Sequence, residues 1–464
     1  MKENESIKKY ALICATTAAF LTPFMGSSIN LAIPSIGDDF HASAYLLSWV
    51  VTSYLLASAV FLVPAGRLAD LIGRKKIFVT GIAVFSVFSL FCGLAGTIEI
   101  FIFYRILQGI GSSMIFGTSM AILTSVFSPQ ERGRVLGINV AAVYTGLSVG
   151  PVLGGFLNHR LGWQSIFYLN FALGVFVFFL ILFRLKGEWM GAEGESFDVL
   201  GSFLYTLGLL GFMYGLSSIT STDSGKFLLL AGIIILTIFV FYEIRIEYPL
   251  VNFNLFFRNI TFTFSNIAAL INYSASFAMT FLLSLYLQLV KGLDSQTAGL
   301  ILLAQPLVMA LLSPFAGTLS DRVEPRKVAS LGMGITALAL FVFYFIRVNT
   351  PLLLIVGNLA LMGGGLALFS SPNTNAVMGS VEKRVYGVAS SILGTMRLVG
   401  NTISMAVVTL MISIYVGDME IQMASSSSIV EMISISFAVF TVVCITGVFA
   451  SMARGSLHTV KEKR

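Results

Sequence analysis

The sequence predicts an all-α integral membrane protein with fourteen transmembrane helices, two six-helix bundles plus two inserted helices. Three observations carry that reading. The 464-residue chain is 56% hydrophobic and 11% charged, against roughly 25% charge in an ordinary soluble domain, and its mean hydropathy is +0.91. Its apolar stretches are long and continuous, as a spanning helix of about 20 residues requires; a transmembrane barrel would show short alternating segments instead. One charged segment also returns in altered form, as GRLADLIGRKKIF at 66–78 and GTLSDRVEPRKVA at 317–329.

Charge, Gly, Pro and Asn punctuate the spans. The first, 11–34, follows MKENESIKKY and is read as retained, because no small-residue cleavage site closes it. Five more are expected at 43–65, 77–96, 100–123, 134–157 and 164–184, then a pair at 199–219 and 226–243. The last six are 259–289, 296–318, 328–347, 351–372, 385–415 and 430–453. The repeated segments start at Gly66 and Gly317, and the same offset carries the first span onto the ninth. This predicts parallel six-helix repeats, the relation found between transporter halves. The expected organisation is an N-terminal bundle at 1–190, an inserted helix pair at 191–255 and a C-terminal bundle at 256–464.

Positive charge tests the count. An even number of spans puts both termini on one face, and the positive-inside rule makes that face cytoplasmic. Of the 28 Lys and Arg, 22 then fall on the cytoplasmic side. Arg160, Lys226, Lys291 and Arg347 fall outside, while Arg105 and Arg397 stay within helices. That asymmetry explains the net charge of +6 without nucleic acid. The three cysteines and three histidines are scattered, so no disulfide framework, metal site, cofactor or catalytic cluster is expected. The absence of a Gly-x-x-x-x-Gly-Lys-Ser/Thr phosphate loop argues against a primary pump.

Several segments resemble a known family. GRLADLIGRKK resembles the loop between the second and third helices of the major facilitator superfamily, through Gly66, Asp70, Gly73, Arg74 and Lys75. YRILQGIGSS resembles its fourth-helix motif, through Arg105, Gln108, Gly109 and Gly111. GLSVGPVLGG resembles the fifth-helix motif of exporters, through Gly146, Gly150, Pro151, Gly154 and Gly155. With WVVTSYLLA, GWQSIFYLN and YGVASSILGTMRLVGN, the chain is similar along nearly its whole length to the fourteen-helix drug:proton antiporter branch. The resemblance implies a small-molecule substrate, alternating access and proton coupling in the cell membrane.

The candidate residues also have a physical reading. Asp70 can accept from a neighbouring helix N-terminus or pair with Arg74; with the repeated Asp321 and Arg322 it forms a candidate cytoplasmic latch, the alternative being a loop whose charge only sets topology. In the second copy Pro325 replaces the later glycine. Arg105 is costly inside a membrane and is a candidate coupling or substrate residue, with Arg397 a counterpart. The alternative for Arg105 is a structural donor to backbone carbonyls. Gly146, Gly150 and Gly154 share one helix face and permit close helix approach, as a hinge or as plain packing. Asn30, Gln108, Asn139, Tyr144, Asn272, Gln305 and Asn375 are candidate polar cavity residues near the midplane between repeats, the alternative for each being a helix–helix hydrogen bond.

One departure redirects the functional expectation. Related exporters carry an aspartate nine residues before the proline of Asn-x-Ala-x-Pro; here Asn30, Ala32 and Pro34 match, and Met25 occupies the acidic position. The acidic residues fall in tails, loops or helix ends, with Glu99, Glu243 and Glu431 at the margins. A cavity holding Arg105 without an opposing carboxylate should favour neutral or anionic substrates. The expected function is secondary active export of small amphipathic molecules by a monomer, with protons an open partner. A facilitator or anion porter is the alternative within transport, and a non-transporting scaffold or sensor the alternative outside it.

Overall fold

The computed structural model describes residues 2–42, 44–218, 223–415 and 425–455, and these are almost entirely helical. Helices are the natural answer for this composition, because each satisfies its own backbone polar groups in lipid. The helices are α1 (Lys2–Phe40), α2 (Ala44–Val60), α3 (Leu62–Ile72), α4 (Arg74–Gly93), α5 (Ile98–Val126), α6 (Arg132–Leu161), α7 (Gln164–Arg184), α8 (Val199–Ser217) and α9 (Asp223–Glu243). After a short α10 (Asn254–Arg258) come α11 (Ile260–Ser276), α12 (Met279–Leu285), α13 (Ser295–Leu302), α14 (Ala304–Arg322), α15 (Pro325–Tyr344), α16 (Leu352–Gly379), α17 (Tyr386–Tyr415) and α18 (Ser426–Ala453). Among the described residues 13 helices are long and apolar enough to cross a membrane, and 14 if a bent pair counts as one span. Phe183, Phe227 and Leu353 stand 74%, 71% and 83% exposed, which suits lipid as the solvent.

The bent pair is α2–α3, broken at Phe61 by 43°. Pro64 explains the break: it lacks an N–H and clashes with the carbonyl four residues back, on Val60. Thr206 hydroxyl donates to that Val60 oxygen at 3.4 Å. Pro306 separates α13 from α14 in the same way. The expected span 259–289 is divided too, with α11 ending at Ser276 and α12 passing into a π-helical turn at Tyr286–Val290. There the Ala278 N–H donates to Ser404 Oγ at 3.0 Å. Side-chain caps start other helices: Thr97 on α5, Asn259 on α11, Asp294 on α13 and Ser425 on α18.

The chain forms two compact units. The first comprises Met1–Thr206, Phe241–Phe253 and Val381–Thr395; the second comprises Leu207–Val240, Asn254–Ser380 and Met396–Arg464. Within the first, α1 packs on α5, α6 and α7, α4 on α5 and α7, and α2 on α5. Within the second, α11 packs on α16 and α18, α15 on α16 and α18, and α14 on α16. Apart from α1 on α6, each contact of the first set has its counterpart in the second. The segment read as a loop at 66–78 is largely helical: α3 runs to Ile72, Gly73 alone makes the turn at φ 123°, and α4 begins at Arg74. Glycine tolerates that positive φ without strain.

Candidate functional site

Arg105 on α5 is fully buried. Its Nε donates to the Val50 carbonyl at 3.0 Å, its Nη1 donates to Gln108 Oε1, and its guanidinium lies 4.3 Å from the Tyr54 ring centroid. Gln108 in turn donates to Ser89 Oγ at 2.7 Å, and Tyr54 hydroxyl to Ser112 Oγ at 2.9 Å. The i, i+3 spacing puts Arg105 and Gln108 on one face, Ser112 follows on the same helix, and α2 and α4 supply the rest. Arg105 Nη2 has no hydrogen-bond partner. No carboxylate pairs with this arginine among the described residues. A buried charge without a counter-ion is costly; here amide, carbonyl and aromatic face share it, leaving Nη2 for a further acceptor.

A second constellation surrounds Asp70, which is fully buried. Its Oδ1 accepts from Arg74 Nε at 2.9 Å and Nη2 at 2.7 Å, and from the Gly387 N–H at 2.9 Å. Its Oδ2 accepts from the Val388 N–H at 3.0 Å. Asp70 therefore caps the start of α17, where backbone donors and the helix dipole favour negative charge. Arg74 also donates to the Lys383 carbonyl and to Ser125 Oγ, and Tyr386 lies over both Arg74 and Arg132. Close approach depends on glycine: a Cβ on Gly66 would lie 2.6 Å from the Gly387 carbonyl oxygen. Sequence reasoning missed the acids beside this segment. Glu195 pairs with Arg67 at 2.7 Å, and Glu188 accepts from the Lys75 N–H at 2.7 Å.

On α6, Gly146, Gly150 and Gly154 face α1. A Cβ on Gly146 would lie 2.5 Å from the Phe20 carbonyl oxygen, and one on Gly154 2.7 Å from Ser28 Cβ. Ser28 donates to the Gly150 carbonyl at 3.0 Å. Pro151 and Gly155 are half-buried, and α6 continues through them. Met25 on α1 is buried in the apolar core of the first unit. Asn30 lies on the helical backbone of α1, but its side chain lies outside the described residues.

In the second unit, Asp321 and Arg322 end α14. Asp321 is half-buried beside Asn375 Nδ2 at 3.4 Å, and Arg322 is exposed. Arg397 is half-buried on α17. Asn272 is fully buried with both Nδ2 and Oδ1 unpartnered. Arg454, one residue past the last expected span, is fully buried: it donates to Asn373 Oδ1 at 2.7 Å, Ser265 Oγ at 3.3 Å and the Ser451 carbonyl at 2.9 Å. Burial pulls its guanidinium down to about 9, still charged at neutral pH. Each unit thus contains a buried arginine held by a side-chain amide and a backbone carbonyl. Among the described residues no three metal-ligating side chains come together.

Many spans, two bundles with one packing plan and buried polar groups inside each define a polytopic membrane transporter. The chain belongs to the Major Facilitator Superfamily, whose profile matches residues 15–404 and, in an overlapping second match, 265–462. It is therefore a secondary transporter rather than an enzyme. It is 31% identical over 397 residues to the riboflavin transporter RibZ of Clostridioides difficile, covering 84% of this chain and 85% of that one. It is 32% identical over 384 residues to the multidrug resistance protein Stp of Mycobacterium tuberculosis, covering 82% of this chain and 71% of that one. Span count and such relatives liken it to the fourteen-helix drug:proton antiporter branch. The fold matches the crystal structure of the human organic anion transporter MFSD10 with TM-score 0.64 at 13% identity, over 95% of this chain and 98% of that one.

Proposed function

We propose that the protein exports small amphipathic molecules across the cell membrane by proton-linked alternating access, and that it selects neutral or anionic solutes over cations. Both termini are cytoplasmic in this reading and the monomer is the working unit. The carrying observation is Arg105: buried, without a carboxylate partner among the described residues, and with its Nη2 unused. An acceptor oxygen on a solute suits that donor, and the Tyr54 ring beside it suits a flat aromatic body. Met25, buried among apolar side chains, supplies no negative charge to attract a cation. The riboflavin transporter relative supports a flat, uncharged aromatic solute. The capped Asp70–Arg74 pair serves as a latch that opens and recloses during the cycle.

Proteoliposomes test this directly. With an imposed pH gradient, riboflavin should move at a rate that collapses when the gradient is dissipated, while a permanent lipophilic cation should not move. Transport of that cation, with no improvement in Met25→Asp, would overturn the selectivity assignment. Riboflavin flux indifferent to the gradient would leave a facilitator in place of an antiporter.

A further inference from the structure

The inserted helices carry a second buried acidic arrangement, away from Arg105 and Asp70. Asp198 immediately precedes α8, and Glu243 is the last residue of α9. They are 8% and 2% exposed. One oxygen of each is satisfied: Asp198 Oδ1 accepts from the Gly201 N–H at 2.8 Å and the Tyr242 hydroxyl at 3.2 Å, and Glu243 Oε2 accepts from the Val251 N–H at 3.0 Å. The other two, Asp198 Oδ2 and Glu243 Oε1, are buried with no donor among the described residues. They converge on one point. A Cβ built on Gly201 would lie 2.0 Å from Asp198 Oδ2 and 2.2 Å from Glu243 Oε1.

Two ionised carboxylates cannot share so small a dry space, since each repels the other and neither is solvated. A proton between them removes one charge and supplies the missing donor, as in paired carboxyls that share a single proton. We infer that Asp198 and Glu243 form one proton-binding site, in which a carboxylic acid on one residue donates to the carboxylate of the other beside Gly201. Tyr242 is the remaining titratable group facing the pair, and its hydroxyl stabilises the carboxylate on Asp198. Among the described residues no Lys, Arg or His forms an ion pair with either acid. Glycine at 201 keeps the gap open, because any side chain would occupy the proton's place. The bound proton ties the start of α8 to the end of α9. Its loss leaves two buried charges that drive this junction apart. The assignment is independent of the solute proposed above.

The sign of the pH effect follows. The folded site keeps a proton that the unfolded chain gives up in the ordinary carboxylate range, so stability falls as pH rises through the site's titration. Gln at 243 or Asn at 198 replaces the shared proton with a permanent amide donor. The test uses the purified full-length protein in detergent and needs no substrate. Wild type should show the infrared carbonyl band of a protonated carboxylic acid at neutral pH. That band should vanish on alkalinisation, together with a drop in apparent melting temperature as pH rises from about 4, the ordinary carboxylate value, through the loss of the band. E243Q and D198N should each lack the band and melt at a temperature that varies little across the same window. Either variant alone suffices if the other does not fold. Absence of the band in wild type at neutral pH overturns the assignment, as does a pH dependence identical in wild type and variant. It also fails if added sodium raises wild-type melting at alkaline pH but leaves E243Q unchanged, which would make the occupant a metal cation.

Discussion

At Arg105 three geometric demands converge on one side chain: a carbonyl to reach, an amide to hold and a ring to cover. Only a planar fork meets all three. Lysine keeps the charge as a point and loses the fork. Arg105→Lys is therefore expected to weaken solute binding about tenfold to a hundredfold, the loss of one charge-assisted hydrogen bond. Equilibrium binding to purified protein checks this, and a normal size-exclusion profile shows that the fold survives. Arg454 likewise reaches a side-chain amide and a backbone carbonyl in the second unit, with a hydroxyl added. Arg454→Lys should lower the melting temperature while leaving solute affinity unchanged. A shared loss of affinity would assign both arginines to the solute.

Between helices, closeness is decided by glycine and by the two acidic repeats. Ala is better than Gly in a helix by about 1 kcal/mol, so Gly→Ala should stabilise wherever space exists. On α1, a Cβ at Gly26 meets nothing within 4 Å, whereas at Gly146 it meets the Phe20 carbonyl oxygen at 2.5 Å. A backbone carbonyl cannot swing aside, and overpacking costs about 1–3 kcal/mol. Thermal melting in detergent should rise or hold for Gly26→Ala and fall for Gly146→Ala; a fall in neither would show that α1 and α6 separate readily. The acidic repeats divide in the same way. Asp70→Asn strands buried Arg74 and turns an amide donor toward backbone donors, a loss of about 3–5 kcal/mol. Asp321→Asn, at a half-buried position, should stay within about 0.5 kcal/mol. Equal melting losses in the two variants would refute this asymmetry.

For the molecule as a whole, lipid wrote the fold into the sequence plainly. Runs of about 20 apolar residues admit few structures, so the span count and the repeat could be read before any coordinates. Asp70 with Arg74 was legible from i, i+4 spacing, and Arg105 with Gln108 from i, i+3. What lay hidden depends on contacts far along the chain: Tyr54 over Arg105, Gly387 and Val388 above Asp70, Glu195 on Arg67, and Arg454 folded back onto Asn373. No local periodicity announces such pairs. Orientation in the membrane rests on charge alone, and it can be tested without removing native thiols, because Cys14, Cys92 and Cys444 are all buried. Lys76, Lys226, Lys327 and Arg347 are exposed, so single cysteines at these positions can report to a membrane-impermeant thiol reagent. The positive-inside rule places Lys76 and Lys327 in the cytoplasm and Lys226 and Arg347 outside. In intact cells Lys226→Cys and Arg347→Cys should label at once, whereas Lys76→Cys and Lys327→Cys should label only after permeabilisation. Labelling of Lys76→Cys and Lys327→Cys from opposite faces would require an odd number of spans between them, and parallel repeats could not survive that result.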